Sequence, residues 1–90
     1  MNIRIISSAI KFRETSYSQY WHIICGKRHC DCFETMLNHQ FIHDRNSEVQ
    51  GFLTDTNQFV DRYKAAEIAY NAQQISQPLS ILYSEDIWSE

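Results

Sequence analysis

Residues 3–12 read IRIISSAIKF, and residues 20–25 read YWHIIC. Both stretches are rich in β-branched and aromatic side chains. The first carries apolar residues at Ile3, Ile5, Ile6, Ala9, Ile10 and Phe12, so each stretch is expected to form a strand. Residues 13–19, RETSYSQ, have turn composition, which makes an antiparallel hairpin the economical connection. Gly26 is expected to break the second strand. Asp31 with Glu34 three positions on has the form of an acidic capping box, and Phe33, Met36, Leu37 and Phe41 recur at helical spacing, so a helix is expected from an Asp31 N-cap.

Residues 43–48 read as a polar linker, residues 49–54 (VQGFLT) as a third strand and residues 55–58 (DTNQ) as a turn. Asp61 is expected to cap a second helix, along which Ala65, Ile68, Ala69, Ala72 and Ile75 fall three and four apart. A stripe this narrow, built mostly of Ala, lets a helix approach a sheet or a partner helix closely. Pro78 is expected to end the helical region. Residues 79–83 (LSILY) then read as a fourth strand or extended arm. The order β-β-α-β-α-β points to a single α+β domain over residues 1–90, a small antiparallel sheet packed with two α-helices.

Composition limits what such a domain does. Of the 90 residues 43% are hydrophobic, and no run approaches the length of a membrane span, so no membrane partner is expected. The net charge of -3 conceals an asymmetry: residues 1–45 hold six Lys/Arg against four Asp/Glu, and residues 46–90 hold two against seven. A chain-wide basic footprint for duplex nucleic acid is missing, so any bound anion must be small and met by a local cluster. Three cysteines, Cys25, Cys30 and Cys32, are an odd count within eight positions, which fits reduced thiols in a cytoplasm better than a secreted disulfide framework.

Three local constellations carry candidate chemistry. The spacing C-x4-C-x-C beside His22 and His29 lacks the paired C-x2-C of a zinc site, so no metal is expected and structural thiols are the simpler reading. Cys30 beside Lys27, Arg28 and His29 near a helix start is the catalytic alternative, a Cys/His-dependent hydrolase. Gly26 to His29 (GKRH), lying between a strand and a helix, has the place of an anion site, with a solvated basic turn as the alternative. Arg62, in the first turn of a helix where a cation is disfavoured, asks for a partner: Glu85, Asp86 or a ligand phosphate. Phe52, Phe59, Tyr63, Tyr83 and Trp88 can supply core, interface or a stacking surface for a purine, and Asn71, Gln73 and Gln74 place amides at a helix end.

Taken in order, GKRHCDC, QGFLTDTNQFVDRYKAAEIAYNAQQI and ILYSEDIW resemble the motifs of the phage Thoeris anti-defense protein 1 family, and IRIISSAIKF fits that family's first strand. The resemblance covers nearly the whole chain. It implies a non-enzymatic sponge that binds, without cleaving, cyclic ADP-ribose isomers made by bacterial immune TIR-domain enzymes, with cyclic oligonucleotides (di- or trinucleotides) at a separate site in some members. It further implies homo-oligomers, dimers or hexamers, in the bacterial host cytoplasm, with no cofactor. By motif, the pocket falls to Lys27, Arg28 and His29, to Phe52, to Phe59 and Arg62, to Asn71 and to Asp86. A small protein-interaction or inhibitor module that binds a host protein is the competing reading from a different class.

Overall fold

The structure, a computed structural model, describes residues 3–15, 19–38 and 45–88. Its elements are β1 (Ile5–Phe12), β2 (His22–Gly26), α1 (His29–Asn38), a 3-10 turn (Arg45–Ser47), β3 (Val49–Thr54), β4 (Phe59–Asp61), α2 (Arg62–Asn71) and α3 (Ser84–Ile87). The strands form one antiparallel sheet in the order β2-β1-β3-β4. The α+β class and the β1–β2 hairpin stand as the sequence indicates. The fourth strand does not: it is Phe59–Asp61, which the turn at residues 55–58 folds back onto β3, while residues 79–83 form a non-strand arm that bends at Ser80 and Ile81. The turn closes through Asn57 N–H to the Thr54 carbonyl (2.9 Å), with Asn57 at a φ of 65° that Asn tolerates better than most residues.

The uneven apolar pattern of β1 has a physical explanation. The register pairs Ile5 with Thr54 and Ser7 with Leu53, so one residue of β1 has no opposite number and the strand bulges. The bulge turns Ile5 into the core at 2% exposure and leaves Ile6 outside at 52%. Beyond it Ser8, Ile10 and Phe12 are buried, and so is Ala9 between them. Ile10 and Phe12 join Cys32 and Met36 of α1, with Ile24 packed against them, and Phe52 joins Ile5, Ala65, Ala66, Ala69 and Leu82. All three helices therefore serve one face of the sheet.

The first helix begins at His29, two residues before the expected Asp31 cap. Arg28 occupies the cap position: its carbonyl accepts the Asp31 and Cys32 N–H groups, and the Asp31 carboxylate reaches back to the Arg28 N–H (3.1 Å). Asp31 thus supplies the returning half of a capping box. Phe41 and residues 43 and 44 lie outside the described residues.

In α2 the expected cap holds, because Asp61 Oδ1 accepts the Lys64 N–H at 2.8 Å. The end differs. The helix stops at Asn71, well before Pro78, in a Schellman turn: Gln74 N–H bonds the Ala69 carbonyl (2.8 Å), Gln73 N–H bonds the Tyr70 carbonyl (3.0 Å), and Gln73 is left-handed at φ 62°. A glycine is usual there. The strain is offset by Gln74, whose side-chain amide accepts from Ile5 N–H and donates to the Ile5 carbonyl, both at 2.8 Å, so that it pairs with β1 at the bulge as a strand would.

Candidate functional site

Three motifs far apart in sequence meet at His29. Its Nε2 lies 2.7 Å from the Gly51 carbonyl oxygen, which can only accept, so that nitrogen carries the proton. Nδ1 is then the acceptor, facing Ser84 Oγ at 2.7 Å. Ser84 Oγ in turn accepts the His29 backbone N–H at 3.1 Å and lies 3.1 Å from Ser8 Oγ, whose proton is shared with the Lys27 carbonyl 3.0 Å away. A short Ser-His contact of this kind resembles a nucleophile and its base. Ser84, however, is 2% exposed and its lone pairs are already met by protein donors. The cluster therefore fastens α3 onto β1, β3 and the start of α1. With both ring nitrogens engaged, the imidazole has none left for the exposed Cys30 thiol.

Burial holds the His29 pKa below its ordinary value, with the Arg62 charge acting in the same direction against the weaker pull of the Gly51 bond and Glu85. The ring is thus kept neutral where its hydrogen bonds need it neutral. Burial likewise pushes the Cys32 thiol up to about 12, so this cysteine behaves as a core residue, whereas Cys25 and Cys30 are exposed.

Around this cluster the arginines are held in place. Arg28 Nη2 donates to the Trp88 carbonyl at 3.1 Å, Trp88 packs 6.5 Å from the Phe52 ring, and Phe52 meets His29 edge-on at 5.0 Å. Arg62 stacks 5.2 Å over the Tyr83 ring and donates to the Gln50 side-chain oxygen, while its own carbonyl receives the Leu82 N–H of the arm. Gln50 and Tyr83 are the partners its place in the helix calls for, rather than Glu85 or Asp86. Asp86 instead accepts the Tyr83 N–H at 2.8 Å and starts α3. In both arginines the buried Nε finds no hydrogen-bond partner in the protein.

Two grooves border these groups. One of about 410 Å³ is lined by Gln50, Arg62, Tyr63 and Ile81, with Glu48 and Asp61 supplying carboxylates. The other, about 930 Å³, runs past the end of α2 and brings Asn71 and Asp86 together with the amides of Gln73, Gln74 and Gln77. The expected site residues thus separate. Arg28, His29 and Phe52 are joined in one packed cluster, in which Phe52 is fully buried. Arg62 faces the first groove, and Asn71 and Asp86 line the second. Lys27 is exposed beside the cluster, and Phe59 belongs to the other face of the sheet. Sequence reasoning did not find Ser8, Ser84 or Gln50. A serine in an apolar strand gives no local sign of a partner 76 positions away.

Among the described residues no three His, Cys, Asp or Glu side chains gather into a group that would hold a metal ion, and no helix is long and apolar enough to cross a membrane. The family model described as phage T4 y16D protein matches residues 4–88, nearly the whole chain. No curated protein and no solved structure matches it.

Proposed function

The chain belongs to the phage T4 y16D protein family, and we propose that it binds a small nucleotide signal and sequesters it without cleavage, acting against bacterial immunity as a sponge for cyclic ADP-ribose isomers. The observation that carries this reading is Arg62. Its guanidinium plane is fixed over Tyr83 and braced by Gln50, and the residue lines a groove of about 410 Å³. That volume falls within the range of small-molecule sites. A fixed fork suits a phosphate met bidentately. The Glu48 and Asp61 carboxylates on the same wall suit ribose hydroxyls.

One chain forms an open groove, so a second copy that closes it would complete a dry pocket, in keeping with a dimer or hexamer in the host cytoplasm. Competition with a host receptor calls for a dissociation constant near nanomolar, about -12 kcal/mol. The resemblance to the Thoeris anti-defense protein 1 family supports the choice of signal. Titration calorimetry with cyclic ADP-ribose isomers, followed by heat release of the ligand, tests the proposal. Stoichiometric binding with intact ligand recovered, and its loss in Arg62→Ala, is the expected result. Recovery of chemically altered ligand would replace the sponge with an enzyme, and absence of binding would favour the protein-interaction reading.

A further inference from the structure

The face of the sheet turned away from α1, α2 and α3 is covered by none of the described helices. Past the bulge, odd-numbered strand positions point there: Lys11 pairs with Ile23 of β2 and with Val49 of β3, and the two apolar partners are 42% and 39% exposed, while Ala9 is fully buried. Across this face runs a row of rings and cations. Phe59 lies from β4 over Gly51, where a Cβ atom would stand only 2.6 Å from its ring carbon Cζ. Lys11 Nζ sits 5.8 Å from the Phe59 ring centroid and 4.9 Å from that of Trp21, and the Arg13 guanidinium carbon is 5.0 Å from Trp21. Trp21 keeps 42% of its surface open, and the buried Nε of Arg13 has no partner.

Chemistry narrows the occupant. In a chain of net charge -3, two cations stand on this face, Lys11 between the Trp21 and Phe59 rings and Arg13 against Trp21. The carboxylate that the register adds, Asp61, is on the edge strand and accepts the Lys64 N–H. Positive charge interleaved with flat, sequence-tolerant stacking surfaces is what an unpaired polynucleotide needs: phosphates for the cations, bases for the rings. Two cations fall short of the basic stripe that grips a duplex. Gly51 has a role here, since only a residue without a side chain lets the Phe59 ring come this close to the strand.

We propose that this open face binds single-stranded nucleic acid, with unpaired bases stacking on Trp21 and Phe59 and with Lys11 and Arg13 neutralising the flanking phosphates. The Arg62 groove meets this face only at the sheet edge, where Val49 and Asp61 line the groove, and the proposal stands independently of the nucleotide-signal reading.

The test is fluorescence anisotropy of labelled ten-nucleotide oligothymidylate and oligouridylate with the full chain at 50 and 200 mM salt, the two oligomers distinguishing DNA from RNA. Saturable binding is expected, with a log-log salt slope of about -1.4 for two phosphate contacts on a single strand. Trp21→Ala weakens it about 5- to 150-fold, Trp21→Phe restores most of the loss, and the double variant Lys11→Ala with Arg13→Ala flattens the salt slope. A duplex competes at least tenfold less well, and Arg62→Ala binds like the parent. The proposal is overturned by absence of binding at 50 mM salt, by variants at Trp21 and Lys11/Arg13 that bind unchanged, by equal competition from duplex, or by equal loss in Arg62→Ala. It is likewise overturned if sedimentation shows a dimer that Trp21→Ala dissociates while no oligomer binds, which would give the face to a second copy.

Discussion

Replacing Ser84 by Ala removes one oxygen and leaves the packing volume almost unchanged, which isolates the hydrogen-bond contribution of the cluster. That oxygen accepts the His29 N–H and donates to His29 Nδ1, so two groups at the start of α1 lose their partners together. A buried polar group left unpaired costs about 1–3 kcal/mol. His29 is half-buried, and water reaching the ring recovers part of the loss, which brings the expected cost to about 2–4 kcal/mol. The Ser8 proton still has the Lys27 carbonyl and adds little. For a domain of this size each kcal/mol moves the melting temperature by about 4–8 °C, so Ser84→Ala should melt roughly 8–32 °C below the parent. Thermal unfolding followed by circular dichroism measures this, with the exposed Ser80→Ala as a control expected within about 0.5 kcal/mol. A loss below about 1 kcal/mol, or one no larger than the control's, would refute the claim that the cluster fastens the C-terminal segment.

Four further outcomes follow from the same geometry. Gly51→Ala should lose at least about 3 kcal/mol or fail to fold, because its Cβ would stand 2.1 Å from the Val60 carbonyl oxygen and β4 would have to leave β3; urea titration reads it. Gln73→Gly should gain about 0.5–1 kcal/mol by relieving the left-handed φ at the end of α2, read in the same assay. Because the His29 pKa is depressed in the folded state, the unfolded chain takes up the proton first. Stability is therefore full above about pH 6.5 and falls below it by at most about 1.4 kcal/mol per pH unit, a slope that His29→Gln should remove between pH 6.5 and 5.5. With iodoacetamide at pH 8, mass spectrometry should find Cys25 and Cys30 alkylated in the folded protein and Cys32 only after unfolding.

Much of the fold was legible because it rests on local chemistry. Residues 49–54 form a strand with the bounds their β-propensity suggests, the DTNQ turn follows, and Asp61 caps a helix whose Ala face packs closely. Where the sequence misled, a longer-range partner outweighed the local signal. Gln74 bonding to β1 ends α2 ahead of Pro78, and the fold-back onto β3 makes a strand of Phe59–Asp61. The candidate site was legible in part. GKRH, QGF and SEDIW do converge, yet Phe52 and His29 converge as packing and as internal hydrogen bonds.

Local side-chain chemistry was enough for the α+β class, the hairpin and the two main helices. Periodicity, caps and turns act over a few residues and are written in neighbouring side chains. The packing of elements against one another settled that Ile5 faces the core and Ile6 the solvent, because a bulge is a count between two strands. It also decided that His29 is a neutral anchor between Gly51 and Ser84, that Arg62 rests on Gln50 and Tyr83, and that Trp21, Lys11 and Phe59 share an open face. In each case the deciding partner lies in another element, and which elements meet is set by the minimum of the whole chain, which no local pattern encodes.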